Sequence, residues 1–198
     1  MHYFAIPFDP SKERANVVSK IIRKMASIES VFTDYQKPCD DECMECDTCG
    51  ETLRIAARML SNPQSRIWEV WRRDDDKDGA ELDLVGILYL TDITRGCDAL
   101  AHYLFFDGKL KDKTQLLKDM IALVFEDTED WMALNRLTVE IPEFAFALAR
   151  HAHKKLGFGG DFEHRGLEVE GKKRSAITWR GKSWDLLVMG LTADEVTT

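Results

Sequence analysis

Val17, Val18, Ile21, Ile22, Met25 and Ile28 recur at three- and four-residue intervals, which predicts a helix with one buried stripe. Asp9-Pro10-Ser11 supplies a start signal, and the pattern carries the helix to about Ser30. Ahead of it, residues 2–6 alternate loosely, as a first strand does. Behind it, Leu53, Ile55, Ala56, Met59 and Leu60 predict a second helix that stops at Asn62-Pro63, because the residue before proline avoids helical dihedrals.

The pattern then turns strand-like. Ile67, Trp68, Val70 and Trp71 predict a strand, and the turn at Asp74–Gly79 returns the chain into another from Leu82 to Leu90, completing a hairpin. Ala99 to Phe106 reads as a strand, Thr114 to Phe125 as a helix, Arg136 to Ile141 as a strand and Glu143 to Leu156 as a helix. From about 159 to 190 short alternating strands are broken by Gly171 and by Gly181-Lys182. No doubly wound dinucleotide-binding fold uses this order. No internal repeat, low-complexity tract or proline-rich linker divides the chain, so a single domain over 1–198 is expected, with a cysteine-rich insert at 37–50.

Composition narrows the setting. The 198 residues are 44% apolar and 31% charged, as in a soluble domain that closes a core without disulfides. No apolar run reaches the length of a bilayer span, and Met1-His2-Tyr3-Phe4 lacks the layout of a secretion signal, so no membrane partner and a cytoplasmic location are expected. A net charge of −8 disfavours nucleic acid as a partner. The acidic runs Asp74–Asp76, Asp40–Glu42 and Glu126-Asp127 lie beside predicted breaks and read as solvated loops rather than metal sites.

Cys39, Cys43, Cys46 and Cys49 crowd into eleven residues with three, two and two residues between them, while Cys97 stands apart. Thiolates so spaced can turn inward on one soft ion, so a Zn²⁺ site is chemically reasonable, and the spacing is also that of a reversed ferredoxin-type run. The first three have radical-SAM spacing, but the chain lacks the repeated βα units of that fold. Four ligands in so tight a loop crowd one ion, since zinc ribbons draw pairs from two separated knuckles. The competing reading is a loop of reduced thiols, or of disulfides formed only in handling.

Several short strings are more specific. Leu84-Val85-Gly86-Ile87 followed by Thr91-Asp92-Ile93, Lys155-Leu156-Gly157-Phe158, Asp161 with Arg165, Trp179-Arg180-Gly181-Lys182 with Asp185, and Met189-Gly190-Leu191 occur in register over about half the chain. In these the sequence resembles the GNAT acyl-CoA N-acyltransferases, in particular the branch of RimL-like ribosomal-protein N-acetyltransferases common in bacterial and phage genomes. The resemblance implies an α/β (α+β) fold with a mixed central sheet of six to seven strands flanked by about four helices. It also implies transfer of an acyl group from acetyl-CoA, or another acyl-CoA, to an amine acceptor on a protein, peptide or small molecule.

By the same resemblance the CoA pyrophosphate meets the helix that follows the fourth strand, where amides of a Gly-rich loop point along the helix dipole. That segment is Asp107–Thr114 here. Of the expected glycines only Gly108 is present, and Lys109, Lys111, Lys113 and the amides near Thr114 are the candidate phosphate ligands, against the reading of a solvated helix entrance. A β-bulge near Leu104, Phe105 and Phe106 is expected to offer an N–H to the thioester carbonyl. His102 is the first candidate base, with Asp92 and Glu140 second; the plainer reading of His102 is a sheet histidine satisfied by backbone. Tyr103 should face away from His102 on a regular strand. His151 and His153 cannot share a helix face, and Phe146 and Ala149 stand where the family carries Asn and Ser. The alternative function is a non-catalytic GNAT-fold binding or structural component, for example in a phage-related assembly; a DNA-base-modifying enzyme is disfavoured by charge. Metal analysis of protein purified without oxygen decides the cysteine cluster: a true site loses its zinc in Cys43→Ser, and unchanged metal content removes this assignment.

Overall fold

The computed structural model describes residues 2–9, 15–27, 54, 56–73, 82–106, 113–129, 131–146, 169–179 and 181–197. The elements run β1 (His2–Pro7), α1 (Ala15–Ser27), a helical stretch at 56–60, β2 (Arg66–Arg73), β3 (Leu82–Thr94), β4 (Asp98–Phe105), α2 (Lys113–Val124), β5 (Arg136–Pro142), a 3-10 turn (Glu143–Ala145), β6 (Val169–Trp179), β7 (Lys182–Thr192) and α3 (Ala193–Thr197). The strands form one seven-stranded sheet in the order β1-β2-β3-β4-β5-β7-β6. β1 on β2 and β5 on β7 are antiparallel, and β4 on β5 is parallel with α2 in the connection. The expected mixed α/β class is therefore the observed one. No helix among the described residues is long and apolar enough to cross a membrane.

The chain divides into two compact units, Met1–Tyr89 with Tyr103–Gly108 and Thr178–Lys182, and Leu90–His102 with Lys109–Ile177 and Ser183–Thr198. In the first unit Ile21, fully buried on α1, joins Phe8, Ala56, Leu60, Ile67, Leu84, Ile87 and Tyr89 in one core, with Val18, Ile22, Leu104 and Phe106 packed against it. Val18, Ile21 and Ile22 come from the helical stripe read in the sequence. Seven consecutive residues of β3, Leu84 to Leu90, are buried, as in a strand covered on both faces. Glu69 is buried within β2, and its Oε2 accepts a hydrogen bond of 2.7 Å from Trp71 Nε1.

In the second unit Leu116, Met120, Ile121 and Val124 are the buried positions of α2 and fall on one side of it. The Val124 carbonyl at its end accepts from Trp131 Nε1 at 3.1 Å and from the Leu134 amide at 3.0 Å, so an indole and a loop amide close the helix. Arg136 binds Glu170 and lies 3.9 Å from Asp98. The Arg136 guanidinium packs over Gly190 near the end of β7, where a Cβ would require it to shift.

Three boundaries differ from expectation. β3 continues past Leu90 to Thr94, with Asp92 at a left-handed φ of 51° inside the strand, and the chain turns at Gly96, with φ 68°. Gly171 does not break the last segment; it lies inside the eleven-residue β6. The predicted helix from Glu143 opens as a 3-10 turn after Pro142, and its residues 147–156 lie outside those described.

Gly86 is required by close approach. A Cβ there would sit 2.6 Å from the Leu104 carbonyl oxygen and 3.3 Å from Phe105 Cδ1. Backbone cannot step aside as a side-chain tip can, so Gly86→Ala should destabilise the protein by about 1–3 kcal/mol in denaturant titrations. An unchanged midpoint would show that β4 does not lie this close to β3.

Candidate active site

The parallel ladder between β4 and β5 pairs Asp98–Leu100 with Arg136–Thr138. Its beginning is held firmly: the Cys97 carbonyl accepts the amides of Asn135 and Arg136 at 3.1 and 2.8 Å, and the Thr138 hydroxyl lies 3.0 and 2.9 Å from the two Asp98 carboxylate oxygens. Beyond Leu100 and Thr138 both strands continue, while β5 keeps β7 on its other edge through Glu140↔Val188 and Ile141↔Leu187. Two residues past the last pair on each strand stand His102 and Glu140.

The His102 ring is largely buried, and its Nε2 lies 3.4 Å from Thr91 Oγ1. Burial lowers its pKa below the ordinary 6.5, and the negative charges of Glu140 and Asp92 offset part of that fall. The imidazole is therefore neutral at neutral pH and faces two carboxylates that would stabilise its charged form. These are the three candidates named from the sequence, and the second unit brings them together. Thr91 and Lys173, which pairs with Glu140, complete the group. Neither was singled out in the sequence: Thr91 had only its place beside Asp92, and Lys173 gave no signal.

The residues considered for CoA divide differently. Leu104 and Phe106 pack their side chains against the core of the first unit, so only their backbone can serve a ligand. The Phe106 amide already donates to the Val85 carbonyl at 2.8 Å. Tyr103 buries its hydroxyl oxygen with no hydrogen-bond partner among the described residues, and burial raises the phenol pKa far enough to keep it protonated across the neutral range. Lys113 and Thr114 open α2, with side chains outside the described set; Gly108, Lys109 and Lys111 lie outside it altogether. So do Cys39, Cys43, Cys46, Cys49, His151, His153, Asp161 and Arg165. Among the described residues no three His, Cys, Asp or Glu side chains converge as a metal site would.

No protein-family profile and no curated protein matches the sequence. Solved structures do match. The spermidine N-acetyltransferase of Vibrio cholerae, in a crystal structure with CoA and spermine, superposes with a TM-score of 0.60 at 12% identity, over 99% of this chain and 98% of that one. A probable acetyltransferase of the GNAT family from Chromobacterium violaceum gives 0.62 at 16% identity, over 99% of this chain and 85% of that one. The chain has the GNAT fold. At such identities the likeness is one of architecture, so the chemistry of this GNAT-fold protein has to be argued from its own residues.

The lowered His102 pKa has a consequence for stability. Above the unfolded-state value near 6.5, His102 is neutral in both states and contributes no pH dependence. As pH falls through 6.5 toward the lower folded value, the unfolded chain binds the proton first and stability is lost. Denaturant titrations between neutral pH and pH 5 should show that loss in the wild type and a smaller one in His102→Gln; equal slopes would refute a depressed His102.

Proposed function

We propose that the protein is an N-acyltransferase, in its simplest form an N-acetyltransferase, that moves an acyl group from acyl-CoA directly to an amine. One observation carries the reading. A neutral, largely buried His102 stands where β4 and β5 cease to pair, flanked by Asp92 and Glu140. An amine must lose a proton to attack a carbonyl, and a neutral imidazole with carboxylates beside it is suited to accept one.

The chain's residues fit acyl-CoA in part. From Ala101 onward the β4 edge has no β5 partner in the ladder, so its amides and carbonyls can pair with an extended amide-bearing chain such as the pantetheine arm. Lys109, Lys111, Lys113 and the amides near Thr114 are the candidate pyrophosphate ligands. When bound, acyl-CoA supplies the activated acyl carbonyl. His102 then takes the proton from the incoming amine, and Asp92 and Glu140 stabilise the imidazolium that results.

The acceptor in this proposal is a cationic amine. The carboxylates at His102 favour one, and the Vibrio cholerae structure carries spermine with CoA on the same fold. The RimL-like strings in the sequence would put a peptide amine in that place, and assays with both acceptors distinguish the two.

Calorimetry with acetyl-CoA tests the reading at its base: binding at micromolar to millimolar ligand supports it, and none at millimolar ligand leaves a GNAT-fold binding or structural protein. In an active preparation His102→Ala should lower kcat by about 10²- to 10⁴-fold with little change in acetyl-CoA affinity. An undiminished kcat would remove His102 as the base.

A further inference from the structure

The edge strand β6 carries Lys172, Lys173 and Arg174 in succession. The first two lysines are held in different ways. Lys172 Nζ lies 2.8 Å from Asp185 Oδ2 and 3.2 Å from Glu143 Oε1, and Asp185 also accepts the Ser175 amide at 2.8 Å where β6 bends through a left-handed φ of 47°. That lysine fastens β6 to its surroundings. Lys173 makes one ion pair among the described residues, with Glu140.

The two ends of that pair are unlike. The Glu140 side chain is 17% exposed and its charge acts on His102, whereas Lys173 is 57% exposed. A mostly shielded carboxylate needs a cation, and here the cation is the tip of a long, flexible side chain with no second ion pair among the described residues. At the exposed lysine end, screening and side-chain entropy offset part of the attraction. A diffusible ammonium group can therefore take the same place.

We infer that Glu140 is the carboxylate that receives the ammonium group of a cationic amine, and that Lys173 is a displaceable placeholder for that group. The inference rests on the acyltransfer reading only for the statement that the incoming cation is the acceptor. It assigns Glu140 to binding the amine and leaves the proton to His102. With Lys173 in place the carboxylate charge is compensated; when the amine arrives, one ammonium replaces another and no charge is left bare.

Titration calorimetry of the whole protein with putrescine, without acyl-CoA, tests this directly. Lys173→Ala should tighten putrescine binding about two- to fivefold, the range expected for releasing a weak surface pair. Glu140→Gln should weaken it about tenfold or more, and adding Lys173→Ala to Glu140→Gln should then change nothing. Lys172→Ala, which removes the same charge next door, should leave binding as it was. The inference is overturned if wild type does not bind putrescine, if Lys173→Ala has no effect or weakens binding, if its effect survives in Glu140→Gln, or if Lys172→Ala tightens binding equally. Should Glu140→Gln fail to fold, Glu140→Asp takes its place, with weaker binding expected. In turnover, Lys173→Ala should lower KM for putrescine and leave KM for acetyl-CoA unmoved. A protein that binds no acetyl-CoA loses the acyltransfer reading, while the putrescine titrations still decide this one.

Discussion

The parallel ladder between β4 and β5 lasts for three residue pairs, and its start is fastened by two amides on the Cys97 carbonyl and by the Thr138 hydroxyl on Asp98. A register fixed at that end sets how the two strands enter the stretch beyond Leu100 and Thr138, where they share no further ladder pair. β5 cannot drift to close the gap, because its other edge is paired with β7 along its whole length, from Arg136↔Thr192 to Pro142↔Leu186. The opening is therefore a consequence of competing pairings and does not depend on a flexible loop. His102 and Glu140 owe their positions to it.

The charge balance at His102 follows from that placement. Burial favours the neutral ring, the two carboxylates favour the charged ring, and burial prevails. Glu140, one of the two carboxylates, is itself paired with Lys173. The groups are thus linked in sequence: the ammonium pairs with Glu140, and Glu140 acts on the histidine. Any cation that replaces the lysine enters the same relation.

Elements that bury a single face were legible in the sequence. The stripe of α1, the helix beginning near Thr114 and the strand beginning at Arg136 all emerge close to where they were expected, since one-sided burial imposes a period on the residues. β3 was read short because Thr91-Asp92 looks like a strand end, yet the strand runs on to Thr94 in spite of the left-handed φ at Asp92. β6 was read as broken because Gly171 and the basic run after it carry no apolar alternation; the strand is held by cross-strand pairs such as Lys172 with Asp185, which pattern alone does not reveal. The site was legible to the same degree. Asp92, His102 and Glu140 could be named from their places on strands, but the partner of Glu140 lies 33 residues away in sequence on a strand that gave no hint of its neighbour.

The sheet order also bears on how the molecule is assembled. β7, made after β6, inserts between β6 and β5, so β5 gains its antiparallel neighbour only from the last long strand of the chain. On a ribosome, β5 and everything it orients would wait beside β4 with one edge unsatisfied until residue 192 had left the exit tunnel. Truncation ahead of Lys182 would remove the strand that joins the outer edge of the sheet to its centre, and Glu140 would lose Val188, its backbone partner across that edge. The groups that meet at His102 are thus completed by the C-terminal portion of the chain, although His102 and Asp92 are synthesised about ninety residues before it.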